Sequence, residues 1–292
     1  MPSWPSARFR PMAKRIVATS FGFIDATGFG GKAETHTWNQ AAGDLRRNLR
    51  WRMVSQVPHE RFGRLDLLSK YVTVAVEMLG LPFLPPEEIR LETAVVMGTI
   101  FGCHGADLDF YQGIQRGEGA SPTLFAYTLP SIAVGEVAIR HRLGGPSYCF
   151  MAGAESGLLA LWEGVKLMQE ENLTSCICLA ADVFPQEAED IANQMGLLPE
   201  KIGCHAYAFL MEDKAFAQTR GRLPLAEFDL GPAPGTGRKT EPKTSWGDAA
   251  RLLRFLKGEN EDQEMLKLFA PPGLGLDEML TVTHWRERDG GG

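Results

Sequence analysis

The chain reads as an α/β protein, a layered α-β-α sandwich, on three observations. Short, continuously apolar runs, which suit strands covered on both faces, alternate with segments whose apolar residues fall at helical spacing. The succession β-α-β-α-β-α-β-β implies parallel strands joined by crossover helices. A length of 292 residues, 44% of them hydrophobic and 23% charged, is enough to build one main core.

The first strand is Arg15-Ile-Val-Ala-Thr-Ser-Phe-Gly22, an apolar run closed by glycine. Residues 23–60 are Gly-rich and then Trp/Arg-rich, without clean periodicity. Over 65–79, Leu68, Tyr71, Val72, Ala75, Val76 and Leu79 share one face of a helix that Gly80 stops. Thr93-Ala-Val-Val-Met-Gly98 is the second strand. The segment from Ser121-Pro-Thr to Arg142 is mostly helical and leads to a strand at 146–151 and a helix at 155–171. Ser175-Cys-Ile-Cys-Leu-Ala-Ala-Asp182 is a further apolar strand, and 186–195 a short helix. Strands at 205–211 and 224–230 are separated by a charged turn that suits a hairpin. Residues 231–243 read as a linker, followed by a helix at 246–257 and a polar end at 286–292. The domain organisation expected is a tail at 1–13, a main domain at 14–230 and a linker with a short helical extension at 231–292; Met1 and Met12 are both possible starts.

A net charge of -6 argues against nucleic acid as the main ligand. The short basic cluster Arg46, Arg47, Arg50 and Arg52 reads as a solvated face or a dock for an acidic protein. Five cysteines (103, 149, 176, 178 and 204) without a disulfide-like framework fit a reducing compartment, so a cytoplasmic protein is expected. Cys176 and Cys178 share one strand face and lack a second ligand pair, so they read as core residues and no metal site is expected. No run reaches the roughly 18 apolar residues that span a bilayer, and the start lacks a signal-peptide core.

The most informative stretch is Gly144-Gly-Pro-Ser-Tyr-Cys-Phe-Met-Ala-Gly-Ala-Glu-Ser-Gly157, a strand turning directly into a helix. It resembles the nucleophile turn of β-ketoacyl synthases, in which a Gly-Pro-Ser strand leads after six residues to a catalytic Cys at a helix start. Here that position is Ala154. Arg61-Phe-Gly-Arg-Leu-Asp-Leu-Leu-Ser-Lys-Tyr71 is similar to the family's Arg/Asp/Ser helix start, Glu92-Thr-Ala-Val-Val-Met-Gly-Thr99 to its second strand, and Cys178-Leu-Ala-Ala-Asp182 to the strand ending in a Gly-Gly-Ala-Asp-like turn.

The resemblance covers about residues 14–230 and implies the thiolase-like fold, as the N-terminal ketosynthase half with a truncated C-terminal region. A thiolate at position 154 would be stabilised by the helix start and attack an acyl thioester, which a methyl group cannot do. The family's two catalytic histidines belong to a second half. After residue 230 the only histidine is His284, read as part of a polar tail, and Lys243-Thr-Ser-Trp-Gly-Asp248 is similar to the family's Lys-Ser-Asn-x-Gly-His with Asp248 at the His position.

The resemblance therefore implies a pseudoenzyme of the chain-length-factor kind, from aryl polyene or type II polyketide systems, pairing with an active ketosynthase in polyketide or fatty-acid-like chain elongation. It implies an acyl tunnel reaching an interface that includes Ser147-Tyr-Cys-Phe-Met151, with Phe125, Tyr127, Leu129, Tyr148, Cys149, Phe150 and Met151 as tunnel or interface candidates. No cofactor is expected in this chain, since phosphopantetheine would reach the partner on acyl carrier protein.

Other chemistry-bearing residues leave alternatives open. Ser156 and Cys103 are the candidate nucleophiles for an independent acyl-thioester hydrolase or acyltransferase. Ser156 lacks the leading glycine of a nucleophile elbow and reads as closing the first helical turn. Cys103-His104 sits in the Gly-rich loop 101–107, near Asp107 and Asp109. Glu155, His141 and His205 have structural readings as helix-end charges or a buried ring. A homodimeric scaffold for carrier protein is a third reading.

Overall fold

The computed structural model describes residues 14–38, 49–81, 91–171, 173–183, 204–232, 245–259, 264–269 and 278–285. The readings made for 1–13, Arg46, Arg47, the helix at 186–195, most of the linker, Lys243 and 286–292 lie outside the described residues, as does the side chain of Asp248.

One ten-stranded sheet forms the middle layer. Its strands are β1 (Ile16–Ile24), β2 (Gly28–Gly31), β3 (Thr35–Thr37), β4 (Thr93–Gly98), β5 (Ser147–Phe150), β6 (Ser175–Asp182), β7 (His205–Asp213), β8 (Ala226–Pro232), β9 (Met265–Phe269) and β10 (Glu278–His284). The order is β5-β4-β6-β7-β1-β8-β10-β9, with β2 and β3 branching from β1. β4 is parallel to β5 and β6, and every other pairing is antiparallel.

Helices cover both faces, and the period of two along each strand divides the core accordingly. On one side, α1 (Leu67–Glu77) and α4 (Ser131–His141) bury Tyr71, Val72, Ala75, Val134 and Val137 against Val95, Met97, Ile177, Leu179, Ala208 and Leu210. On the other, α5 (Ser156–Glu170) and α7 (Ser245–Leu256) bury Leu161, Trp162, Val165, Leu252 and Phe255 against Ala94, Val96, Cys176, Cys178, Phe209 and Met211. The α-β-α sandwich read from the sequence is the observed one. α2 (His104–Gln115) and α3 (Pro122–Ala126) lie between β4 and α4 along the chain, and α6 (Lys214–Thr219) follows β7.

Local chemistry sets these elements. Asp66 caps α1 by accepting from the N–H groups of Leu68 and Ser69, and Gly80, at φ +67°, turns the chain after it. Gly22 and Gly31 are register partners, and a Cβ on them would stand 2.0 Å from the carbonyl oxygens of Ala75 and Met78 respectively. The paired glycines therefore form a saddle for the end of α1, and a Gly-rich segment that reads as loop is strand β2.

Other expectations are corrected. No β7–β8 hairpin forms, because β1 lies between them and pairs antiparallel with both. The charged turn is α6, capped by Asp213 through the Phe216 N–H. The loop 101–107 contains the start of α2, after a reversal at Gly102 with φ +55°. The region read as linker and helical extension also supplies β9 and β10, which continue the sheet from β8 with Leu266, Leu268, Leu280 and Val282 buried. His284 belongs to β10, its ring stacked 3.8 Å from that of Phe255, and not to a polar tail.

Candidate functional site

β5 is an edge strand that pairs with β4 alone among the described strands. Gly145 enters it so close to β4 that a Cβ would lie 2.3 Å from the Thr93 carbonyl oxygen. The carbonyls of Pro146 and Phe150 accept from the N–H groups of Val95 and Thr99, so the backbone groups of Ser147 and Cys149 turn away from the sheet. β9, at the opposite edge, carries exposed Lys267, whereas β5 carries no charge.

Past β5, Gly153 adopts φ +61° and a single 3-10 turn, Gly153–Glu155, leads into α5. Ser156 is fully buried; its Oγ accepts from the Ala152 N–H and donates to the Gly153 carbonyl, both at 2.8 Å. It closes the turn, and among the described residues its hydroxyl bonds to backbone groups and to no base. Ala154 is half-buried and packs against the α5-side core, and α7 lies across this turn. The position that resembles the nucleophile site thus carries a methyl group under a helix.

Cys103 is buried just before α2, and its thiol donates to Asp107 Oδ2 at 3.4 Å. Burial, and then the carboxylate, push that thiol up to about 12, so it stays protonated. The activated Cys103–His104 pair does not form. Cys149 is pushed up to about 11 by burial and then by the charge of Asp182, and Cys176 well above its usual value by its bond to Cys178, 3.7 Å away, and by burial.

Asp182 organises the ground beneath the site. Fully buried at the end of β6, its Oδ1 accepts from Thr99 Oγ1 at 2.9 Å, the Ile100 N–H at 2.7 Å and the Phe101 N–H at 3.0 Å, fixing the loop after β4. Burial outweighs these bonds and raises its pKa to about 7. His205 lies opposite Asp182 in register and stacks on Tyr207. His141 is buried beneath the Arg140–Glu77 ion pair.

The tunnel and interface candidates separate. Phe125 is 63% exposed, Leu129 60%, Met151 56% and Tyr148 45%, while Cys149 and Phe150 are half-buried. Tyr127 is a buried packing residue whose hydroxyl donates to Glu136 at 3.2 Å, beside the Arg61–Glu136 pair at 2.7 Å. Two residues the sequence reading missed join the exposed set: Tyr111 and Ile114 on α2. Phe110 joins α2 to α3 through the Phe125 ring at 5.7 Å, and Met151 and Pro130 crowd Gly102, which brings the turn after β5 beside the chain that enters α2. Among the described residues, no group of His, Cys, Asp or Glu is arranged to hold a metal ion, and no helix is long and apolar enough to cross a membrane.

No protein-family model and no curated protein sequence matches the chain. Solved structures do match. The ishigamide ketosynthase/chain length factor shares 21% identity over 83% of this chain and 74% of that chain, with a TM-score of 0.58. The ketosynthase ApeO in complex with its chain length factor ApeC, from Xenorhabdus doucetiae, matches at 17% identity over 92% of this chain and 99% of that chain, TM-score 0.58. A type II polyketide synthase acyl carrier protein in complex with its ketosynthase, AntDE with AntF, matches at 15% over 94% and 100%, TM-score 0.66. The fold is the thiolase-like fold of ketosynthases and chain length factors.

Proposed function

We propose that this chain is a non-catalytic, chain-length-factor-like subunit that pairs through β5 with an active β-ketoacyl-ACP synthase and walls part of its acyl tunnel. The observation that carries this reading is the uncharged edge of β5, open among the described residues, together with the exposed Tyr148, Met151, Phe125 and Leu129. A sheet edge without charge or cover is a template for another strand, and exposed apolar side chains around it favour a dry interface. An obligate contact of this kind buries more than about 2,000 Å².

The reaction served is decarboxylative Claisen condensation of acyl and malonyl groups held on carrier protein. The partner supplies the thiolate and the acid-base groups. This chain, with Ala154 at the matching turn, supplies shape: Phe150 and Met151 on the strand edge, with Phe125 and Leu129 beside them, limit how far the acyl chain extends. Phosphopantetheine enters on the carrier, so this chain needs no cofactor of its own.

The experiment is co-expression with a ketosynthase encoded in the same genome, followed by intact-complex mass determination. A one-to-one complex, lost on Tyr148→Arg or Met151→Arg, supports the reading; a homodimer or monomer that ignores the ketosynthase sinks it. The homodimeric carrier-protein scaffold differs in what covers β5, and the same masses separate the two.

A further inference from the structure

At the opposite end of the strands from Ala154, and on the far flank from β5, a cleft of about 760 Å³ opens among Arg15, Lys214, Arg222, Leu223, Glu227 and Trp285. Its position follows from register: Ile16 pairs with Asp213 and with Phe228, and His284 with Ala226, at the end remote from Gly98 and Asp182. The walls are fixed by backbone bonds. The Lys214 N–H donates to the Arg15 carbonyl at 2.8 Å, and the Trp285 N–H to the Leu225 carbonyl at 2.9 Å.

The charges in the cleft are unevenly matched. Arg15 gives Nε and Nη2 to Glu227, and Arg222 gives Nη1 to buried Glu212 at 2.8 Å. Each arginine keeps further N–H groups beyond those bonds. Glu264 also lines the cleft but is exposed, so water screens its charge. The Lys214 ammonium makes no hydrogen bond or ion pair among the described residues; it rests 4.2 Å over the Trp285 ring. A cation over an indole is held more weakly than a cation hydrogen-bonded to an anion, so this contact is where an ammonium waits for a ligand.

We propose that this cleft binds a phosphate ester carried on a flat heteroaromatic body, a ligand of nucleotide size. The phosphate meets Lys214, with Arg15 and Arg222 beside it, and the flat body lies against Trp285 and Leu223. A tetrahedral phosphate fits better than a carboxylate. A phosphate monoester offers three oxygens to the Lys214 ammonium and to the N–H groups that Arg15 and Arg222 keep beyond their bonds to Glu227 and Glu212, one more than a carboxylate offers. The volume falls within the range of small-molecule pockets and exceeds what inorganic phosphate fills.

The test is isothermal titration calorimetry of the full chain at low ionic strength with AMP, ribose 5-phosphate and adenosine. AMP is expected to saturate the site, ribose 5-phosphate to bind at least about tenfold more weakly, and adenosine to be weaker still. Lys214→Gln, an exchange at a half-exposed side chain, is expected to weaken AMP by at least about tenfold with an unchanged melting temperature, and Lys214→Glu to abolish binding. Trp285→Leu should bring AMP down to the level of ribose 5-phosphate. Absence of saturable AMP binding up to about 5 mM, or a Lys214→Gln variant that binds as tightly as the parent, overturns the proposal. The site lies away from β5, so this result is independent of the pairing experiment.

Discussion

Gly98, the last residue of β4, lies directly beneath the Ser156 carbonyl: a Cβ at position 98 would stand 1.9 Å from that oxygen and 2.8 Å from the Gly157 nitrogen. The first turn of α5 therefore rests on bare backbone, and the turn that follows β5 takes its height above the sheet from this contact. Gly98→Ala is expected to cost about 2–4 kcal/mol, because the obstacle is backbone and cannot rotate away. Urea unfolding followed by tryptophan fluorescence reads this directly.

A second close approach is relieved by a side chain. A Cβ on Gly164 would meet Cys178 Sγ at 2.2 Å, while Cys178 Cβ is 3.9 Å away. Gly164→Ala alone should therefore cost about 1–3 kcal/mol, and Cys178→Ala in the same chain should recover most of it. A double-mutant cycle with no coupling would show that α5 shifts instead.

Asp182→Ala leaves Thr99 Oγ1 and the N–H groups of Ile100 and Phe101 without their acceptor, at an expected cost of about 2–4 kcal/mol. Asp182→Asn keeps an acceptor oxygen. The folded pKa of Asp182 is raised to about 7, so the fold holds a proton that the unfolded chain has released above about pH 4. Its contribution is full at low pH and falls as pH rises toward 7. Relative to the parent, Asp182→Asn should therefore be more stable at pH 8 than at pH 5, as compared by unfolding midpoints.

The histidines act with the opposite sign. Burial lowers His141 to about 4, with Arg140 adding to the effect and Glu77 opposing it; His59 is lowered to about 4 by burial and then Arg140. Below about pH 6.5 the unfolded chain gains protons that these rings refuse until about pH 4, so stability falls as pH falls through that window. His141 accounts for a loss on the order of 3 kcal/mol. His141→Leu should flatten this acid limb while the Asp182 contribution, common to both proteins, cancels in the difference.

Ala154→Cys is expected to install a thiol but no activity. The turn is packed under α7, and no base is bonded to its neighbour Ser156. Intact mass after incubation with acyl-pantetheine should show no acyl adduct on this chain.

Strands that are largely apolar and buried almost throughout, β1, β4, β6 and β7, announce themselves in sequence because both faces are covered, and α1 does so through its apolar face and Gly80 stop. β2 does not, since its glycines serve the approach of α1 and carry no strand signal. β9 and β10 alternate properly, yet the buried positions described in them, Leu266 and Leu268 in one and Leu280 and Val282 in the other, sit in a charged context. α2 buries only Ala106 and Gly113, so its outward Tyr111 and Ile114 leave no inward stripe to find. In the candidate site, the closed turn at Ser156 was legible from local chemistry. The burial of Tyr127 between exposed Phe125 and Leu129 was not, because spacing alone treats the three alike.

The uncharged rim at β5 also bears on dosage. Among the described residues one sheet edge is unguarded while the other carries lysine, and such a chain is safe from strand-to-strand aggregation only while the first is covered. Under the pairing proposed for β5, its steady amount in solution is set by the supply of the ketosynthase that covers it, and unequal synthesis of the two would appear first as loss of this chain.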